Sequence, residues 1–184
     1  MTLNTATGSV TLPTPDSHAA DSETMFMLYG LVRYLKPSLI IEAGTYMGHA
    51  ACTMACALRD AEVDGEIWTA DVKDYGAQAN VDQNDLSAFV HVFQGDFGAM
   101  LAGPLKDRKA RLAFIDSGLV VDPQPMPVMT NLRHTHVQLA LGHMVSGGVM
   151  VIDDCAGTWD GVEEIRQLGL YLFKGRGMAI VQRG

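Results

Sequence analysis

At 184 residues the chain suits one domain with a substantial core and little room for a second. Hydrophobic residues make up 48% and there are 19 glycines, as in a compact α/β protein with many tight turns. A formal charge of −8 argues against nonspecific binding to nucleic acid or to anionic membranes. No apolar run approaches about 18 residues, and no basic-then-apolar start marks a secretory leader. Cys52, Cys56 and Cys155 are an odd set with no such leader, and a reducing cytoplasm is the expected compartment. Cys52 and Cys56, four apart in an expected helix, read as small buried thiols in preference to half of a metal site.

Residues 1–20 are rich in Thr, Ser and Pro without periodicity and read as a loose, flexible arm, leaving 21–184 as the single domain. Asp21-Ser22 caps a helix with Leu28, Leu31, Val32 and Leu35 at i, i+3, i+4, i+7, which Pro37 ends. A strand over Leu39–Glu42 runs into a turn through Gly44 and Gly48, and a helix follows with Ala51, Met54, Ala55 and Leu58 on one face. Strands are then expected at Glu66–Asp71, Phe89–Gln94, Arg111–Asp116 and Gly147–Ile152. Between them lie a weak helix over Ala77–Leu86, a short one over Phe97–Leu105, and one carrying Val137, Ala140, Leu141 and Met144. Asp160 with Glu163 suggests a capping box opening one more helix, and Met178–Gln182 a closing strand. The alternation implies right-handed crossovers and an α/β, doubly wound, mostly parallel sheet with helices on both faces. A single closing strand leaves a reduced C-terminal edge.

Acids stand where strands stop: Glu42, Asp71, Asp116 and Asp153-Asp154, with Gly95-Asp96 just beyond the remaining strand. Open α/β sheets bind ligands beyond the carboxyl ends of their strands, and the glycine turn there offers backbone N–H groups and a helix N-terminus. Any one of these acids alone is as readily a helix cap; together they mark a ligand crevice.

Glu-Ala-Gly-Thr-Tyr-Met-Gly (42–48) does not fit the Gly-x-Gly-x-x-Gly dinucleotide fingerprint. With an acid ending the next strand, it resembles motif I of the Rossmann-like S-adenosylmethionine-dependent methyltransferases. The resemblance implies that Glu42 sits near the methionine ammonium or braces the turn. It implies further that Ala43, Gly44, Tyr46 and Gly48 line the cofactor through backbone atoms and that Asp71 takes the ribose hydroxyls. Asp96 would accept from the adenine amino group, with Phe97 beside the ring, and Asp116 would border the cofactor.

Phe-Ile-Asp-Ser (114–117) and Val-Ile-Asp-Asp (151–154) resemble the metal-dependent O-methyltransferases, including the type 24 methyltransferase group. That resemblance implies Mg²⁺ held by Asp116, Asp153 and Asp154, and methyl transfer to a hydroxyl of a small molecule. Hard oxygen ligands at adjacent strand tips would suit such an ion, although one of the paired acids could merely cap the loop. A metal-independent methyltransferase and a non-catalytic cofactor-binding module stand as alternatives. Position 119 is leucine where catechol-type members carry lysine, so the base is sought among histidines. Asp116 and His134 are the catalytic candidates; His134 also falls on an extension of the apolar stripe and suits packing, while His136 suits an exposed face. Met126, Met129 and Trp159 are candidates for an acceptor pocket. The small lid implies either an open site for a bulky acceptor or completion by a second subunit.

Overall fold

The structure is a computed structural model that describes residues 2–14, 19–118, 126–154, 165–171 and 177–184, with the backbone alone at 3, 126–131 and 165–171. The chain begins with a hairpin of β1 (Thr2–Thr5) and β2 (Gly8–Thr11), followed by α1 (Ser22–Leu35). Asp21 caps α1 by accepting from Thr24 N at 2.9 Å, and Lys36, left-handed at φ 47°, ends it ahead of Pro37. Then come β3 (Leu39–Ala43), α2 (His49–Asp60), β4 (Glu66–Asp71), α3 (Ala77–Gln83), β5 (Val90–Gln94) and α4 (Phe97–Ala102). The chain closes with β6 (Ala110–Ile115), α5 (Met126–Gly142), β7 (Met144–Asp153), β8 (Ile165–Tyr171) and β9 (Met178–Arg183).

Among the described residues seven strands form one sheet in the order β5-β4-β3-β6-β7-β9-β8. β5 through β7 are parallel, and β9 runs antiparallel to both β7 and β8. Strand alternation divides the core between the two faces. Ile40, Leu112, Phe114, Val149 and Val151 meet α1 and α2 residues such as Leu28, Val32, Met54 and Leu58. Leu39, Ile41, Ala113, Ile115, Met150 and Ile152 meet Phe97, Met100 and Leu101 of α4 and Val137 and Ala140 of α5. β3, buried along its whole length, is the middle one of the five parallel strands. Cys52 and Cys56 are buried in α2, where burial lifts their thiols to about 12 and about 11.

Two expectations give way. The C-terminal edge is not reduced: β8 supplies a second closing strand. The arm is not loose over residues 2–12 either. Val10 and Leu12 are buried, and Asp60 at the end of α2 accepts from Ala6 N at 2.7 Å, from the Thr7 hydroxyl and from Tyr29 Oη at 2.5 Å. Asn84 clamps Thr11 with both halves of its amide, at 2.9 and 3.0 Å. His49 Nε2 stands 2.9 Å from the Pro13 carbonyl oxygen.

Burial raises the Asp60 carboxyl, but the Thr7, Tyr29 and Ala6 donors outweigh it and hold the group below its ordinary value. This stabilisation is therefore present above the unfolded carboxyl's pKa and is lost as pH falls from there through the lower folded value. Asp60→Ala should cost about 1–3 kcal/mol and free the hairpin. Limited proteolysis should then cut within residues 2–14 well before the rest of the chain; equal resistance of mutant and wild type would refute the latch.

Candidate functional site

The parallel order reverses between β4-β3 and β3-β6, and the carboxyl ends of these three strands surround one turn. Gly44 N donates to the Ala70 carbonyl at 3.0 Å, and Asp116 N to the Ala43 carbonyl at 2.9 Å, so the strand ends are tied to one another. Gly44 has φ 100°, and a Cβ there would lie 2.5 Å from the Asp116 carbonyl oxygen. Only glycine allows this turn to run against the end of β6. Tyr46 also has a positive φ, 46°, and its N–H donates to Asp71 Oδ2 at 2.9 Å. Gly48, at φ 82°, starts α2.

Glu42 is 1% exposed, on the face of β3 that α1 and α2 cover. It bonds to the side chain of Thr69, its register partner on β4, while Oε2 has no partner among the described residues. Burial first, and the neighbouring Asp71 to a lesser degree, push its carboxyl up to about 8, so the group is largely protonated at neutral pH. It borders a small recess together with Gly44, His49, Asp116 and the backbone entry at Ala19 and Ala20. The N-terminal segment thus walls one end of the crevice.

The other end is a cavity between β4, β5 and α5, lined by Asp71, Val72, Asp96, Phe97, Ser117 and His136 among others. It holds about 640 Å³ with its open mouth included, inside the ~300–1,000 Å³ common for small-molecule sites. Asp71 stands where this cavity meets the glycine turn, and its Oδ1 accepts from Lys73 N at 3.2 Å. Asp96 caps α4, accepting from Ala99 N at 3.2 Å through Oδ1. His136 is buried with Nδ1 2.7 Å from Ser117 Oγ, and its ring lies 5.2 Å from that of Phe97. Burial depresses the His136 pKa, against a smaller opposing pull from Asp96, and so keeps the imidazole neutral.

At the tips of β6 and β7 the expected metal ligands are neighbours of a cation already in the protein. Arg133, on α5, places Nη2 3.3 Å from Asp154 Oδ2 and 3.6 Å from Asp116 Oδ1. Its Nη1 donates to the Asp154 carbonyl oxygen at 3.2 Å. Asp153 is buried, and its Oδ1 accepts the Asp154 N–H at 3.0 Å. Among the described residues no group of three His, Cys, Asp or Glu side chains is arranged to hold a metal ion. The three-carboxylate Mg²⁺ site expected from the sequence does not fit this arrangement, because a guanidinium already lies between two of its ligands.

The histidines also differ from expectation. His134 is exposed, not packed, whereas His136, expected at the surface, is buried against the cavity. Turns of α5 explain this: Arg133, Val137 and Ala140 share the inward stripe at i, i+4, i+7, and His136 stands beside it. The signal for Arg133 was present in the sequence, as the only Lys or Arg between Arg111 and Arg166, at helical spacing from an apolar stripe. Ser117 and His136 carried no such mark. Trp159, the side chains of Met126 and Met129, Cys155 and the 160–163 pair lie outside the described residues.

A family model of a methyltransferase domain matches residues 41–155. The fold is shared with an O-methyltransferase from Bacillus cereus in complex with SAH, 16% identical, with TM-score 0.72 over 92% of this chain and 84% of that one. It is shared also with an SAH-bound methyltransferase from Podospora anserina, 15% identical, TM-score 0.70, covering 91% and 80%. A third is the O-methyltransferase TomG from Streptomyces achromogenes, involved in tomaymycin synthesis and in complex with SAM, 15% identical, TM-score 0.68, covering 90% and 81%. No curated protein sequence matches the chain. Among the described residues no helix is long and apolar enough to cross a membrane.

The Glu42 carboxyl ionises near 4.5 when unfolded and near 8 when folded, so unfolding releases its proton between those values and stability falls as pH rises through them. Glu42→Gln removes that dependence. Its melting temperature relative to wild type should therefore climb steadily from pH 5 to pH 8; a pH-independent difference would contradict the assignment.

Proposed function

The chain belongs to this methyltransferase-domain family, and on that premise we propose that it moves a methyl group from S-adenosylmethionine to the hydroxyl oxygen of a small molecule. One observation carries the reading: the acids ending three adjacent strands, Glu42, Asp71 and Asp116, surround a single glycine turn that opens into the cavity bounded by Asp96 and Phe97. An adenosyl compound matches the polarity of that layout.

In this reading the adenine lies in the cavity beside Phe97. The free oxygen of Asp96 and the polar edge formed by Ser117 and His136 face its nitrogens. Asp71 accepts from the ribose hydroxyls; with Oδ2 already holding Tyr46 N, the carboxylate is fixed in orientation before the cofactor arrives. The methionine end reaches the Glu42 recess, where the ammonium group supplies the partner that Oε2 lacks and favours its ionised form. Proton release on cofactor binding near neutral pH follows.

A cofactor held in this way would offer its methyl group near the tips of β6 and β7, where Asp116 stands. The acceptor oxygen attacks the methyl carbon in line with the departing sulfur, the O–C bond forming as the S–C bond breaks, and sulfur keeps the electron pair. The hydroxyl proton passes to the Asp116 carboxylate and on to solvent. Orientation and exclusion of water contribute most of the acceleration in such a displacement. His134, exposed on α5, has no role in this scheme.

Thermal unfolding with S-adenosylhomocysteine tests the cofactor assignment without an acceptor. Wild type should be stabilised in a concentration-dependent way, and Asp71→Asn should bind about 10- to 100-fold more weakly through loss of charge-assisted bonds to the ribose. No stabilisation of wild type would end the proposal.

A further inference from the structure

Arg133 is the feature that the cofactor reading leaves unused. Its side chain is 7% exposed, yet it holds a permanent positive charge against the Asp116 and Asp154 carboxylates and the Asp154 carbonyl. Asp154 takes a left-handed conformation, φ 51°, which sets its carbonyl and its carboxylate on the same guanidinium. Asp153, the third acid, faces the backbone N–H of its neighbour. A guanidinium donates only and cannot serve as a metal ligand. A hard cation such as Mg²⁺ needs carboxylate oxygens at about 2.0–2.1 Å, in the space that Nη2 now borders.

We propose that Arg133 is the resident cation at the tips of β6 and β7, so that this protein carries out transfer without a divalent metal and on an acceptor whose hydroxyl is already acidic. The second clause rests on the methyl-transfer reading above; the first does not. A metal would act as a Lewis acid and lower the pKa of a bound hydroxyl. The guanidinium is engaged with protein oxygens and supplies no such activation. A phenol or enol, ionising near pH 10 in the unperturbed phenolic case, can give up its proton to a carboxylate and solvent as the methyl carbon arrives. An aliphatic sugar hydroxyl has no such route here. Arg133 is a positioning residue: it fixes Asp116 and Asp154 through charge and touches neither the methyl group nor the acceptor oxygen.

Electron paramagnetic resonance of Mn²⁺ added to the full chain tests the metal claim with no acceptor present. Wild type should leave the free-ion signal undiminished up to about 1 mM. Arg133→Met strips the charge and leaves the acids facing one another, so it should bind Mn²⁺ at least about tenfold more tightly, and a further Asp154→Asn change should reverse the gain. Tight binding of one Mn²⁺ per wild-type chain, abolished by Asp154→Asn, would overturn the proposal, as would a folded Arg133→Met protein with no gain. Should that variant not fold, the wild-type titration alone decides. For the acceptor, methyl transfer in excess EDTA should proceed with phenols and not with vicinal aliphatic diols; loss of transfer on chelation, or the opposite preference, would refute it. Stabilisation by S-adenosylhomocysteine reports on the cofactor separately, so failure of either claim is distinguishable.

Discussion

The close approach of the β3–α2 turn to the end of β6 is the constraint on which the site depends. With Gly44 against the Asp116 carbonyl, the chain leaves β3 and turns within the width of one strand. Three strand ends are then drawn together, and their acids cannot separate without breaking the Gly44–Ala70 and Asp116–Ala43 bonds. Parallel strands lie about 4.8 Å apart, so this geometry imposes repulsion among the carboxylates unless each finds its own solution.

The protein uses a different solution at each tip. Glu42 is buried deeply enough to hold its proton, with Thr69 as partner. Asp71 spends its oxygens on backbone N–H groups of Tyr46 and Lys73. Asp96 caps a helix. Asp116 and Asp154 share a guanidinium, and Asp153 bonds to the main chain. Leaving a buried carboxylate uncompensated would cost several kcal/mol, so these local arrangements let an acidic crevice exist before any ligand enters. They also differ in how readily a ligand can recruit them: the Glu42 proton can be displaced by a cation, whereas the Arg133 contacts compete with one.

Much of the fold was legible because the apolar runs at 39–43, 66–71 and 110–115 are short, bounded by turns and have an acid at or next to their last residue, and because Asp21 and Pro37 punctuate α1. What escaped has local causes. β8 reads Ile-Arg-Gln-Leu-Gly-Leu-Tyr, too polar and too broken by Gly169 to declare itself, and its register shifts at that point. The hairpin of β1 and β2 contributes only Val10 to the core from its second strand, and its anchors, Asp60 and Asn84, lie more than 50 residues away. In the site, the acids were visible because strand ends order them in sequence. The pairing was not: Arg133 stood out as a lone cation, but it lies 17 residues beyond Asp116 and 21 before Asp154, on a helix whose rotation decides what faces inward.

The most direct measurement is a crystal structure of the full chain with S-adenosylhomocysteine. The ribose hydroxyls should lie within hydrogen-bond distance, about 2.5–3.0 Å, of Asp71. The adenine should lie against Phe97, and the ammonium on Glu42. Density for the ligand away from the glycine turn, or a ribose that turns its hydroxyls from Asp71 while Glu42 Oε2 stays unengaged, would contradict that placement.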